Sequence, residues 1–236
     1  MIPLKDENPV NNKSYIRLII LIICSLIFLF QSFGGINSFL IGYFGFKPVS
    51  LIDSSGIETF NPFLTIFTSM FMHGGWLHFL GNMLYLWIFA DNIEDDLGTL
   101  NFVIFYFVCG VGAAMSQVLV DINSQIPMIG ASGAIGGVLG AYLINYPNAR
   151  VLVLIPFGFF SQLLKIRALY VLGFWFVLQF INSFLSTSSG GGVAYAAHIG
   201  GFISGLILIL FFNKKNTKNN FKKSSKSNKK KGPWEQ

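Results

Sequence analysis

His73, His78 and Asn82 open an otherwise apolar segment, "HGGWLHFLGN", in a chain of 236 residues that holds three histidines. The third, His198, lies in "AHIGG", and Ser132 stands in "GASG" at the head of another glycine-rich apolar stretch. A serine hydroxyl is a weak nucleophile until an adjacent base takes its proton, and an imidazole is suited to that work. His78 and Asn82, at i and i+4 on one helix face, can add side-chain donors for a developing oxyanion. His73 is out of step with that face, so it is expected to make structural hydrogen bonds near the preceding loop.

These groups must be positioned by membrane helices. The chain is 53% hydrophobic and 11% charged, against about 25% charged residues in ordinary soluble domains. Six apolar blocks run from about Tyr15 to Gln31, Trp76 to Ala90, Leu100 to Val120, Ser132 to Tyr146, Leu169 to Phe184 and Val193 to Phe212. Several fall short of the roughly 20 residues of a full span. The first lacks a small-residue cleavage site and is expected to be a retained helix rather than a removed signal. Polar groups inside such spans are costly and presumptively functional.

With six spans both termini share a side, and 15 of the 16 Lys and Arg fall there, Lys47 being the exception. The positive-inside rule then puts both termini in the cytosol, and the chain is expected to be a multi-pass protein of the cell membrane. The acidic turn "DNIEDDLG" lands on the same side, where acidic residues weigh little. The tail from Lys214 to Lys231 reads as a basic, disordered segment near anionic lipid rather than a nucleic-acid binder. The expected organisation is a cytosolic segment over 1–14, a membrane domain over 15–212 and that tail over 213–236. Cys24 and Cys109 form no disulfide or CxxC pattern.

Three connections carry expectations. Ser32 to Met72 is the longest external loop and should pack at the membrane surface. Val151 to Ile166, interrupted by Pro156, Gly158, Gln162 and Lys165, reads as an interfacial approach to the fifth helix. "STSSGGG", Ser186 to Gly192, reads as a flexible link able to gate access.

Counting residues places the polar groups at one level. Ser132 to Tyr146 and His198 to Phe212 are each 15 residues, or roughly 22 Å of helix in a hydrocarbon core of about 30 Å. His78 lies close to the same level and Asn82 one turn deeper. Gly136 and Gly140 follow Ser132 on one helix face, and Gly201 and Gly205 follow His198 on another. Small residues at this spacing let helix backbones approach closely in lipid. If the two faces pack together, Ser132 meets His198. Ser132 also opens its helix, where unpaired N–H groups and the dipole favour negative charge.

Blander readings compete. A glycine-rich helix start is more often packing than catalysis, and a lone histidine is more often a satisfied buried imidazole. Two histidines five apart suggest metal, but no HExxH is present and no carboxylate separates them. Asp121 could approach as a third acid, though a solvated loop position is the simpler reading, so a Ser–His dyad is preferred.

In their order on the second, fourth and sixth blocks, "HGGWLHFLGN", "GASG" and "AHIGG" resemble the rhomboid intramembrane serine proteases over roughly Phe67 to Phe212. The resemblance implies an all-α, polytopic bundle of six transmembrane helices. Its fourth helix would start within the membrane beneath a water-filled cavity. It implies cleavage of membrane-anchored substrates in or near their spanning segments, with neither cofactor nor metal. Carried over, the nucleophile is Ser132 and the general base His198. The oxyanion donors are His78, Asn82 and the Ser132 backbone N–H, with His73, Gly130 and Gly133 in support.

The sequence departs from the family twice. A Trp-Arg pair found in the first loop of many members is absent from "NPFLTIFTSMF", and Gly136 replaces a tyrosine that stacks under the histidine in some; Tyr195 is a possible substitute. Besides the protease, two other classes fit the residues: a non-catalytic rhomboid-like protein that binds transmembrane helices, and a three-histidine metal transporter.

Overall fold

A computed structural model describes residues 1–10, 14–53, 55–157, 160–185 and 193–228, with side chains as far as Phe212 except that of Phe157. The expectations for Lys13, Gly158, the Ser186–Gly192 link and the side chains of the lysine tail lie outside the described residues. In chain order the elements are β1 (Ile2–Asp6), α1 (Tyr15–Phe33), α2 (Asn37–Phe44), α3 (Pro62–Thr68), α4 (Trp76–Leu97), α5 (Thr99–Val120), α6 (Ser132–Asn145), β2 (Arg150–Phe157), β3 (Phe160–Arg167), α7 (Ala168–Leu185) and α8 (Tyr195–Asn228). The chain is an all-α polytopic membrane protein, to which one small sheet is added. Among the described residues, four helices are long and apolar enough to cross a membrane: α1, α5, α7 and the Tyr195–Phe212 part of α8. α4 carries the acidic turn at its end, and α6 is shorter, at 14 residues.

α6 is the centre of the bundle. Every residue from Ala134 to Tyr142 is buried, so this stretch leaves no face for lipid, which explains how so short a helix is accommodated. Its glycines set the spacing. A Cβ on Gly201 would stand 1.9 Å from the Gly133 carbonyl oxygen, and one on Gly205 would stand 1.9 Å from that of Gly137. From the other side, a Cβ on Gly136 would meet the His198 carbonyl oxygen at 3.0 Å and one on Gly140 that of Phe202 at 2.3 Å. Lipid tails are as apolar as leucine, so helix association rests on such close packing rather than on expulsion of water. α8 is equally close to α5, where a Cβ on Gly200 would collide with Ser116.

The described residues of the long Ser32–Met72 connection pack against the bundle. Asn61 caps α3, its Oδ1 accepting from the N–H groups of Phe63 and Leu64 at 3.0 and 3.1 Å, with Pro62 at the first helical position. Phe46 and Met128 exchange two backbone hydrogen bonds of 3.0 and 2.7 Å, and Phe46 packs with Ile66 and Ala114 in a small satellite core.

Val151–Ile166, expected as an interfacial approach to the fifth helix, takes a form that expectation did not specify. It folds back on itself as β2 and β3, antiparallel, and β1 pairs with the free edge of β2 to give the order β1-β2-β3. The reason is a period of two: Val151 and Val153 are fully buried on one face, while the β3 side chains are largely exposed. β-Branched residues on a half-buried pleat favour the strand. Acidic residues at the end of α4 tie that helix to the start of α1 and the end of α6. Glu94 accepts from the backbone N–H groups of Ile16 and Arg17 at 2.9 Å each, satisfying the first turn of α1. Arg17 pairs with Asp91 at 2.8 Å and lies over the Trp87 ring. Asp96 accepts from Asn145 and Tyr146 at 2.7 and 2.6 Å.

Candidate active site

Ser132 begins α6 two residues after a glycine whose backbone few other residues could adopt. Gly130 has φ +118°, and its N–H donates to the Ser69 carbonyl at 2.9 Å, fastening the "GASG" loop to the Ser32–Met72 connection. A Cβ there would strike His78 Nε2 at 2.6 Å and lie 3.5 Å from Ser132 Oγ. The serine hydroxyl and the His78 ring therefore border the same small space, kept open by the absent side chain.

α8 brings His198 to the serine along the glycine contacts. Ser132 Oγ and His198 Nε2 are 2.7 Å apart. The other ring nitrogen, Nδ1, lies 2.8 Å from Oε1 of Gln179 on α7. Trp175, one turn earlier on α7, faces the His198 ring at 5.9 Å between centroids and 30° between planes, and Tyr195 meets it edge-on at 6.2 Å. Aromatic rings from α7 and α8 thus pack against His198, while the α8 backbone itself closes over Gly136.

α4 supplies the remaining groups. Gly74 N–H approaches His78 Nδ1 at 3.5 Å, an arrangement that leaves the ring proton on Nε2, toward Gly130. Asn82, one turn deeper, is 6% exposed and its side-chain Nδ2 has no hydrogen-bond partner. A buried amide donor left unpaired is unusual. Here it borders a cavity of about 890 Å³ whose walls include Ser132, His198, His78, Trp175 and Gln179. The cavity also meets Pro127 to Ile129, before α6, and Val193, before α8.

His73 is fully buried, but not as the sequence suggested. Its backbone, not its ring, makes the structural hydrogen bonds: His73 N–H donates to Gln31 Oε1 at 3.1 Å, and Gln31 Nε2 donates back to the His73 carbonyl at 3.4 Å. The ring packs edge-on against Phe28, His78 and Phe79. It does not line the cavity. Asp121 closes a turn by accepting from Asn123 N–H at 3.2 Å and is likewise absent from the cavity wall. Among the described residues, no three or more His, Cys, Asp or Glu side chains gather around one point.

Gln179 and Trp175 were missed in the sequence. The signal was available: an amide in the middle of the apolar run "LYVLGFWFVLQF" is the kind of costly polar group that singled out Ser132 and His198.

A rhomboid domain model matches residues 61–215 of this chain. The chain belongs to the rhomboid family. Among curated relatives, it is 29% identical to RHOMBOID-like protein 5 of Arabidopsis thaliana over 61% of this chain and 42% of that protein. It is 28% identical to the mitochondrial Rhomboid protein 1 of Saccharomyces cerevisiae, over 64% of this chain and 42% of that protein. Rhomboid-like protease 5 of Toxoplasma gondii is 27% identical over 69% of this chain and 18% of that protein. This chain therefore spans less than half of the length of each of these rhomboid relatives.

Proposed function

We propose that this rhomboid is an intramembrane serine endopeptidase that cuts membrane-anchored proteins in or near their transmembrane segments. The observation that carries the reading is the 2.7 Å contact of Ser132 Oγ with His198 Nε2 on the wall of the cavity. A locally unwound substrate segment presents a carbonyl to Ser132. As Oγ attacks, its proton passes to His198 Nε2. The negative charge that develops on the carbonyl oxygen meets donors from His78 Nε2, Asn82 Nδ2 and the Ser132 backbone N–H, the last being free at the start of a helix. Collapse breaks the C–N bond, the amine takes the proton from His198, and the ester formed on Ser132 is then hydrolysed by water. No cofactor or metal enters these steps.

The same reading makes it a six-span protein of the cell membrane with both termini cytosolic, from the Lys and Arg distribution, and its basic tail a contact for anionic lipid. The test uses purified protein in liposomes with a model transmembrane substrate, comparing wild type, Ser132→Ala and added chelator. Cleavage that is lost in the variant and indifferent to chelator is the expected result. Chelator sensitivity would point to metal chemistry. No cleavage under any condition would point to a non-catalytic binder of transmembrane helices.

A further inference from the structure

We infer that Gln179 is a positioning residue that fixes the tautomer and orientation of His198; the inference rests on the protease reading above. An imidazole can accept the serine proton only if Nε2 carries a lone pair, which requires the ring proton on Nδ1. Nothing in the ring itself enforces that choice, so the partner of Nδ1 decides it. That partner is the side-chain amide of Gln179, with Oε1 2.8 Å from Nδ1.

An amide can present either its oxygen or its NH₂, and its second hydrogen bond settles which. Gln179 Nε2 lies 3.3 Å from the backbone carbonyl of Trp175, its own i−4 neighbour on α7. A carbonyl accepts and cannot donate, so the NH₂ is directed there and Oε1 is left to accept from His198 Nδ1–H. The proton is then held on the far side of the ring, and Nε2 faces Ser132 Oγ at 2.7 Å with its lone pair. Trp175 limits ring rotation by packing on its face. A chain of three hydrogen bonds thus runs from the α7 backbone to the serine. A neutral amide orients the ring without supplying a counter-charge, which separates this device from the carboxylate of a Ser–His–Asp triad.

Gln179→Met and Gln179→Glu are close in shape to glutamine, but only glutamate keeps an acceptor oxygen at the same reach, in either protonation state. Two readouts in the full-length protein decide the matter. In liposome cleavage assays, Gln179→Met is expected to lower kcat about 10-fold or more with KM changed less than about twofold. Gln179→Glu is expected to restore kcat to within about threefold of wild type. In ¹⁵N-histidine NMR, with His198 assigned by its loss in His198→Ala, the wild type should show a single Nδ1-protonated tautomer. Gln179→Met should mix the two forms.

Wild-type kcat in Gln179→Met, or an unchanged His198 tautomer in that variant, overturns the inference while leaving the protease reading intact. Absence of cleavage by wild type, or cleavage by Ser132→Ala, overturns the protease reading and with it a positioning role in that reaction. The NMR readout still reports in that case whether Gln179 fixes the ring.

Discussion

Gly201→Ala puts a methyl group where two backbones leave no room. The added Cβ would stand 1.9 Å from the Gly133 carbonyl oxygen, and ordinary contact begins at 3.4 Å. The obstructing atom is backbone, so α6 and α8 must separate by roughly 1.5 Å, because neither can yield by a rotamer change. His198 lies one turn before Gly201, and Ser132 adjoins Gly133. The separation therefore falls on the Ser132–His198 hydrogen bond, which at 2.7 Å has less than an ångström to spare before it fails. A misplacement of about 1 Å at reacting groups can lower the rate about 100-fold, and overpacking of this kind costs about 1–3 kcal/mol of stability. Cleavage of a model substrate should show kcat/KM reduced about 100-fold, and thermal unfolding in detergent should show a lower Tm. Gly173 on α7 is the control, since nothing lies within 4 Å of a Cβ built there. Gly173→Ala should leave cleavage within about twofold and add up to about 1 kcal/mol of helix propensity. Wild-type cleavage and Tm in Gly201→Ala, or equal damage from Gly173→Ala, would refute the reasoning.

Four other substitutions have defined outcomes. Asn82→Ala and His78→Ala should each lower kcat about 10²- to 10³-fold if they donate to the oxyanion, with substrate binding retained; a loss in binding alone would remove them from that role. Glu94→Ala leaves the Ile16 and Arg17 N–H groups unpaired and should lower stability by about 1–3 kcal/mol, read by chemical unfolding, without changing kcat at temperatures where the protein stays folded. Burial raises the carboxyl of Asp6 above the usual carboxylate range, against the lowering effect of the Tyr142 hydroxyl bonded to it at 2.7 Å. Between the ordinary and the raised pKa the folded state binds more protons than the unfolded one, so this group adds stability as pH falls through that window. The Tm of wild type minus that of Asp6→Asn should therefore rise on acidification, and a difference that falls would contradict the assignment.

The level and neighbourhood of Ser132 and His198 were legible because two simple counts agree: equal distance from the C-terminal ends of their apolar blocks, and small residues repeating at helix period. The finer interlock was less so. Gly201 and Gly205 were expected against Gly136 and Gly140, yet their closest approach is to the carbonyls of Gly133 and Gly137. In a run as glycine-rich as "SGAIGGVLG", spacing alone cannot say which of two adjacent rows faces the neighbour. The sheet was hidden for a different reason. β1 and β2 are separated by more than 140 residues of sequence, and Val151–Ile166 carries Pro156 and Gly158, which argue against a strand when read locally. His73 shows the reverse case: its need for hydrogen bonds was anticipated, but they are made by its backbone to Gln31, which no pattern in the loop signals. Gln179 was overlooked because α7 lacks the glycine stripe that drew attention to the serine and the histidine.

The most direct test of the central claim, that His198 activates Ser132 as a nucleophile, is covalent labelling. Folded protein in liposomes is treated with a fluorophosphonate and the modified residue is located by mass spectrometry. The account predicts a phosphonyl adduct on Ser132, absent in Ser132→Ala and strongly slowed in His198→Ala. An unmodified Ser132 in folded wild-type protein, or labelling equally fast without His198, would contradict it.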